Sequence, residues 1–301
     1  MANDQNSRDV YSRVTDSIIA AIEKGASAKD WRMPWHVDAA ASFSPASING
    51  LKPYRGINTL VLWSAAQRQG YDSALWGTYD AWQSIGGQVR KGSKGELVCY
   101  WGSYLKDEGG EEDGKRMGLF CKGYTVFNIA QVDGDLGKLR KKTELTPKWE
   151  RIEHAEDWFS RTGAKILHGG NRAFYTSGED YVRMPHREQF DEADAYYSTL
   201  AHECGHWTGH KDRLDRKFGK RFGDDAYAVE ELVAELTAAY TMANLRLSNE
   251  PRQDHAQYLD SWLKVLKADK RALFTAASAA QKAADYLREQ AENRILGVVA
   301  A

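Results

Sequence analysis

The chain has 301 residues, of which 42% are hydrophobic and 28% are charged, and its formal net charge is −1. This composition is typical of globular proteins, and a net charge near zero singles out no class of partner. Three cysteines make no disulfide framework, no run of 18 apolar residues is present, and the first residues lack the apolar core of a signal peptide. We therefore expect two domains in a reducing, cytoplasmic compartment, with no membrane partner.

Hydrophobic spacing in the first half predicts three helices and then two strands. Val10, Val14 and Ile18 recur at the helical period, Asn58 is the predicted N-cap of the second helix, and Gly70 is its predicted stop. The predicted helices cover residues 9–24, 60–69 and 78–85, and the predicted strands cover residues 97–101 and 119–127.

The second half is predicted to be mainly helical with a small sheet. Residues 134–147 are basic and lack apolar periodicity, which indicates a linker between a first domain at 1–133 and a second at 148–301. The expected fold class is α+β, with an α+β first domain. The predicted helices of the second domain cover residues 149–161, 187–208, 227–245, 254–267 and 272–291, and its strands cover residues 173–177 and 180–185.

A metal-binding motif lies near the end of the predicted helix over 187–208. His202 and His206 are four residues apart, so that both imidazoles project from one face of a helix and can bind one metal ion. Glu203 lies beside them, in the position of the general base in H-E-x-x-H peptidases. The alternative interpretation is a surface helix that carries two unrelated histidines.

A catalytic zinc site needs a third protein ligand. The extended motif that ends in a third histidine is excluded because position 212 is Asp212. The helix over 227–245 offers Glu230, Glu231 and Glu235 instead. Glu231 and Glu235 share one stripe of that helix, so we assign Glu231 as the ligand and Glu235 as the group that orients a ligating histidine.

His210 lies one helical turn beyond His206 and can be read as a further ligand, a substrate contact or a polar helix end. The predicted metal is Zn²⁺, with another divalent transition metal such as Mn²⁺ as the alternative. The chemistry that follows is metal-assisted hydrolysis, in which Glu203 takes a proton from the attacking water and returns it to the leaving amine, and these residues do not specify which bond is cut. The protein or peptide substrate is not encoded in these residues, and we expect a monomer.

The first half also has the ingredients of a single-stranded nucleic-acid site, which combines aromatic rings that stack on bases with cations that follow phosphates. The strongest candidates are the segments at 52–58 and 90–94. Because most large aromatic side chains are core residues, packing is the competing interpretation for each ring. The proposed DNA-binding residues are Lys52, Tyr54, Arg55, Trp76, Tyr79, Trp82, Arg90, Lys91 and Lys94.

Seven segments along the chain are specific enough to compare with known families. They are YRGIN at 54–58, WGTYDAW at 76–82, GGQVRKG at 86–92, VFNIAQ at 126–131, TLAHECGHWTGH at 199–210, RLDR at 213–216 and EELVAEL at 230–236. In these segments, and over almost its whole length, the chain resembles the ArdC family of plasmid-borne antirestriction proteins. The resemblance implies an N-terminal domain that binds single-stranded DNA and a C-terminal zincin-like metallopeptidase domain. It also implies a role in protecting incoming plasmid DNA from host restriction during conjugation.

Two further hypotheses compete with this one. In the first, the protein is a DNA-binding antirestriction module whose metal site is structural. In the second, it is a DNA-dependent protease that acts on proteins bound to DNA. Substitution of Glu203 separates the structural-metal hypothesis from the peptidase hypothesis, because only a peptidase needs the general base.

Overall fold

The structure is a computed structural model, and it describes residues 2–27, 33–36, 44–106, 116–137, 139, 147–217, 225–249 and 258–299. The N-terminal half contains three helices, a four-stranded sheet and a two-stranded sheet. The helices are α1 (Ala2–Ser27), α2 (Ile57–Gln69) and α3 (Tyr79–Ser84). The strands are β1 (Ala46–Ser47), β2 (Leu75–Gly77), β3 (Gln88–Val89), β4 (Glu96–Lys106), β5 (Arg116–Asn128) and β6 (Val132–Asp133).

The larger sheet has the strand order β1-β2-β5-β4, and β3 pairs with β6 in the smaller one. Strands β4 and β5 form a long antiparallel pair, with Glu96 opposite Val126 and Lys106 opposite Arg116. Asn58 is inside α2 and is not its N-cap, because the helix begins at Ile57. The Asn58 side chain instead exchanges two hydrogen bonds of 2.7 Å with the backbone of Cys99. It therefore fastens α2 to β4.

The C-terminal half packs five helices against a three-stranded sheet with the order β7-β9-β8. Strands β7 and β9 are parallel, and β8 is an antiparallel edge strand. The strands are β7 (Ile166–His168), β8 (Phe174–Thr176) and β9 (Tyr181–Met184). The helices are α4 (Lys148–Arg161), α5 (Ala193–Thr208), α6 (Asp225–Leu245), α7 (Leu259–Ala268) and α8 (Ala272–Val299).

The largest hydrophobic core draws on both halves of the chain. Ile18 of α1, Leu60 of α2, Leu236 of α6 and Leu273 of α8 all belong to it, and each is 0% exposed. Burial of each such side chain contributes about 1.5–3 kcal/mol. The two halves therefore share this core, because the apolar stripe of α1 is covered partly by C-terminal helices.

Other differences from the predicted elements are local. The helix that carries the histidines begins at Ala193 and not at 187, because residues 187–189 form a separate 3-10 turn. The Gln189 side chain accepts a hydrogen bond of 2.8 Å from the backbone N–H of His186 and closes that turn. The three residues of β7 were not predicted. The predicted start of α7 and most of the predicted linker lie outside the described residues.

None of the described helices is both long enough and apolar enough to cross a membrane.

Candidate metal centre

Helices α5 and α6 approach each other closely where the motif lies. A Cβ atom at Gly205 would be 3.2 Å from the Cα of Ala234 and 3.3 Å from the Cβ of Thr237. Such distances leave little room for a side chain, so Gly205 and Ala234 together permit the close packing of the two helices. Close packing in turn brings carboxylates of α6 to the histidines of α5.

Three side chains converge at this crossing. The Nε2 atoms of His202 and His206 are 3.1 Å apart. Glu231 Oε2 lies 3.5 Å from Nε2 of His202, and Glu231 Oε1 lies 3.6 Å from Nε2 of His206. Among the described residues, these three side chains are the group whose ligand atoms all lie within 4.8 Å of one another.

This donor set fits a divalent transition metal. Two imidazole nitrogens and one carboxylate form one of the established catalytic zinc sets, and the donors face one another and not solvent. His202 is 2% exposed and Glu231 is 6% exposed. The geometry thus places Glu231, and neither Glu230 nor Glu235, beside both Nε2 atoms.

Each histidine contacts a second carboxylate through its other ring nitrogen. Glu235 Oε1 lies 2.8 Å from Nδ1 of His202, where the sequence predicted an orienting group. Glu230 Oε1 lies 3.2 Å from Nδ1 of His206. A carboxylate at Nδ1 fixes the tautomer of the imidazole and makes Nε2 a better ligand.

Glu230 is further held by a buried arginine that the sequence reasoning left without a role. Arg216 donates hydrogen bonds of 3.0 and 2.8 Å to the two carboxylate oxygens of Glu230. It also donates to the Thr208 hydroxyl at 2.8 Å and to the Gly205 carbonyl at 2.6 Å. The guanidinium therefore links the end of α5 to α6.

The electrostatics lower the pKa values of Glu230 and Glu231. Burial raises the pKa of Glu231, but the hydrogen bond from His202 and the positive charges of the two histidines outweigh it and lower the pKa to about 2. Burial likewise raises the pKa of Glu230, and the hydrogen bonds from His206 and Arg216 bring it below its usual value. Both carboxylates are therefore ionised near neutral pH, as a carboxylate ligand must be, whereas the two histidines bind a metal in their neutral form.

Tyr227 is a second side chain that the sequence reasoning missed. Its hydroxyl donates a hydrogen bond to Glu231 and lies 3.3 Å from the hydroxyl of Tyr258. Burial raises the pKa of Tyr227, Tyr258 partly offsets this, and the carboxylates of Glu231 and Glu203 raise it further. Glu203 is 3% exposed and is close enough to act electrostatically on Tyr227, so the candidate base and this phenol belong to one site.

His210 does not join the converging donors. Its Nδ1 accepts a hydrogen bond of 3.2 Å from the backbone N–H of Asp212, in the loop that follows α5. Of the three interpretations of His210, the structure favours the polar helix end.

The predicted DNA-binding residues differ in how far their side chains are exposed. Trp76 and Trp82 are 1% and 0% exposed, respectively, so their rings are core and offer no face to a base; for these two the prediction was wrong. Tyr54 is half-buried. Arg55 and Arg90 are exposed and pair with Asp285 and Asp133, respectively. The remaining candidates, Lys52, Tyr79, Lys91 and Lys94, are exposed.

An aromatic pair on β4 and β5 is more exposed than most of the predicted rings. Tyr100 is 56% and Tyr124 is 38% exposed, and their ring centroids are 6.3 Å apart. Lys122 lies opposite Tyr100 in the strand register, and its Nζ is 5.0 Å from the centroid of the Tyr124 ring. The alternation of residues 97–101 could have pointed to Tyr100, which the sequence reasoning did not single out.

Comparison with known proteins decides the family. Residues 8–127 match a family model described as the N-terminal domain of the anti-restriction factor ArdC, and residues 153–279 match one described as a zincin-like metallopeptidase. The metal-free crystal structure of the antirestriction ArdC protein from plasmid R388 is 42% identical, with a TM-score of 0.78 over 95% of this chain and 98% of that one. The chain belongs to the ArdC family.

The Mn(II)-bound crystal structure of the R388 protein is 41% identical, with a TM-score of 0.76 over 94% of this chain and 98% of that one. The protein y4eC of Sinorhizobium fredii is 48% identical over 95% of this chain and 94% of its own length. Two Escherichia coli proteins named DNA primase TraC are 36% identical, and the chain spans only 20% and 27% of their lengths. The two-domain α+β fold class is therefore confirmed, and the zincin-like fold and the Mn(II)-bound relative point to a divalent metal. The division at 133 and 148 stays a prediction.

Proposed function

We propose that the protein is a metal-dependent peptidase that binds single-stranded DNA and protects incoming plasmid DNA from host restriction during conjugation. The observation that carries the peptidase part is the convergence of His202, His206 and Glu231, with Glu203 next to His202 on α5. Zinc is the metal we propose, because two imidazoles and a carboxylate are a common catalytic zinc set, with Mn²⁺ as the alternative.

Each side chain has a separate task in this proposal. His202, His206 and Glu231 hold the ion, while Glu235 and Glu230 orient the two imidazoles. A divalent ion in this position supplies Lewis acidity toward water and toward the carbonyl of the scissile bond.

Glu203 accepts the proton of the attacking water and delivers it to the leaving amine. The Tyr227 hydroxyl donates a hydrogen bond to Glu231, which adds to the larger lowering of the Glu231 pKa by His202 and His206. The substrate is a protein or peptide, and strand β8, whose outer edge is unpaired among the described residues, is the element that can accept an extended peptide by strand addition.

DNA binding is proposed for the N-terminal half. Exposed Lys52, Lys91 and Lys94 supply cations for phosphates. Exposed Tyr100 and Tyr124 supply rings for bases. Aromatic rings beside cations are the usual means of holding a single strand without sequence preference.

The experiment combines plasmid transfer into a restricting host with metal-binding calorimetry. Glu203→Gln should bind the metal as tightly as the wild-type protein but lose protection, whereas His202→Ala should lose both. Glu188→Gln, at an exposed position of the same domain, is the matched control and should retain both.

If Glu203→Gln protects as well as the wild-type protein, the peptidase proposal fails and the structural-metal hypothesis holds. The DNA-dependent protease hypothesis is tested by incubating a protein cross-linked to DNA with the enzyme, with and without a single-stranded region. Cleavage only in the presence of a single strand would favour it.

A further inference from the structure

The outer face of the small sheet β7-β9-β8 carries aromatic and basic side chains. Phe174 of β8 lies directly opposite Arg183 of β9, so the two side chains share a face. Tyr181 lies two residues before Arg183 and projects from the same face. The alternate residues Val182 and Met184 are 0% exposed and pack into the domain core. The sheet thus has one core face and one face rich in aromatic rings and positive charge.

The rings and the guanidinium on this face are close together. The Arg183 guanidinium is 5.7 Å from the centroid of the Tyr181 ring, and the ring centroids of Phe174 and Tyr181 are 6.4 Å apart. Phe174 is 42% exposed, which is high for a phenylalanine. The Arg183 side chain is also fixed by a hydrogen bond of 3.2 Å to the carbonyl of His168.

A concave pocket of about 430 Å³ opens next to this face. Its floor is the turn that follows β7, where Gly169 and Gly170 have φ values of +134° and +77°, which other residues rarely adopt. A hydrogen bond of 2.9 Å from the Gly169 N–H to the Met184 carbonyl fixes the turn. The pocket is lined by Gly169, Gly170, Asn171, Arg172, Phe174 and Arg183.

The two arginines of the pocket lack carboxylate partners among the described residues. The neighbouring arginines of this domain are neutralised: Arg213 pairs with Asp180, and Arg216 pairs with Glu230. Uncompensated guanidinium groups at a pocket mouth favour an anionic ligand, and guanidinium geometry suits phosphate. An exposed aromatic ring beside them favours a ligand that also has a flat ring, which a nucleotide has and an acidic side chain lacks.

We propose that this face is a second contact for single-stranded DNA. Phe174 and Tyr181 stack on bases, while Arg172 and Arg183 contact phosphates at the Gly169–Gly170 turn. This inference rests on the single-stranded DNA binding proposed above and adds a second binding surface to it. DNA bound here lies on the same domain as the candidate metal centre.

The test is fluorescence anisotropy of a labelled oligothymidylate with the full chain, between about 50 and 200 mM salt. Arg172→Ala/Arg183→Ala should weaken binding at least tenfold at the lower salt. It should also reduce the salt slope by about 1.4, since each single-strand phosphate contact contributes about 0.7. The matched control is Lys24→Ala/Lys282→Ala, which removes the same charge at exposed positions elsewhere and should bind within about twofold of the wild-type protein.

Phe174→Ala should weaken binding by about 5- to 150-fold, the cost of losing one stacked base, whereas Phe174→Tyr should retain affinity. Circular dichroism melts establish that each variant is folded. Photo-cross-linking of an iodouracil oligonucleotide, read by mass spectrometry, should label the peptide that contains Phe174 or Tyr181.

The outcomes are distinguishable. If the wild-type protein does not bind the oligonucleotide, the DNA-binding part of the proposed function fails and this inference fails with it. If the wild-type protein binds but the arginine and Phe174→Ala variants match the lysine control, only this inference is overturned. A third outcome is that an acidic peptide binds the face of β8 and β9 while the variants keep the DNA affinity of the wild-type protein. This outcome would overturn the inference and indicate a peptide subsite.

Discussion

Replacing Arg216 with methionine should destabilise the metal-free protein much more than the same change at Arg213. Both arginines have largely buried side chains and lie in the segment after α5, but their partners differ. Arg216 pairs with Glu230, whose side chain is 6% exposed, whereas Arg213 pairs with Asp180, whose side chain is 39% exposed. The Arg216→Met variant leaves the buried Glu230 carboxylate without its arginine partner and without access to water.

The difference in magnitude follows from the ion pairs, because each variant also loses a hydrogen bond to a backbone carbonyl of α5. Removing one partner of a buried ion pair costs about 3–5 kcal/mol. Because His206 still contacts Glu230, we expect the lower end, about 3 kcal/mol. For Arg213→Met, Asp180 can be rehydrated, so the loss of the pair costs about 0–1 kcal/mol. The cation–π contact of Arg213 with the Trp207 ring, 4.0 Å from its centroid, adds about 0.5–1 kcal/mol.

The assay is urea unfolding of chelator-treated protein at pH 7, followed by tryptophan fluorescence and far-UV circular dichroism. Coincident transitions by the two probes are required for a free energy of unfolding to be defined. The double variant Arg216→Met/Glu230→Gln should recover about 1–3 kcal/mol relative to the sum of the single changes. The reasoning is refuted if Arg216→Met costs no more than Arg213→Met, or if the two changes are additive within about 0.5 kcal/mol.

Further predictions concern the metal and the helix crossing. Glu235→Gln should weaken Zn²⁺ binding by about 10- to 100-fold in calorimetry, because His202 loses the carboxylate at Nδ1; an unchanged affinity would contradict this role. The folded-state pKa of Glu230 is lowered, so its contribution to stability is present above its ordinary pKa of 4.5 and is lost as the pH falls through the folded-state value. Glu230→Gln should therefore reduce the fall of the melting temperature with decreasing pH on the acid side. The same pH dependence in the variant and the wild-type protein would contradict this prediction. Gly205→Ala should cost about 1–3 kcal/mol in thermal unfolding by forcing α5 away from Ala234; a stabilised variant would show that the crossing can relax.

The convergence of His202, His206 and Glu231 could be predicted from sequence because it depends on helical periodicity. The spacing of His202 and His206 is local, and the preference for Glu231 over Glu230 follows from the face of α6 on which each lies. Glu230 lies about 100° around α6 from Glu231 and contacts Nδ1 of His206, whereas Glu235 lies one turn beyond Glu231 on the same stripe and contacts Nδ1 of His202. The contact of Arg216 with Glu230 could not be predicted, because Arg216 follows α5 in a loop without periodicity.

The DNA-binding prediction was less successful for a related reason. Strand β2 has three residues and helix α3 has six, so neither is long enough for periodicity to show which side of Trp76 or Trp82 faces solvent. Packing was the competing interpretation for both tryptophans, and both are core. The shared hydrophobic core was missed because an apolar stripe on α1 shows that a face is buried but does not show which surface covers it.

Helix α6 connects the candidate metal centre to the N-terminal half of the chain. The same helix supplies Glu231 to the metal centre and Leu236 to the core shared with α1 and α2. The Tyr240 hydroxyl, one turn beyond Leu236, donates a hydrogen bond of 2.9 Å to the carbonyl of Gly56 at the start of α2. These contacts link α2 directly to the helix that carries Glu231. Thermodynamic reciprocity then requires that any factor by which DNA changes metal affinity equals the factor by which metal changes DNA affinity.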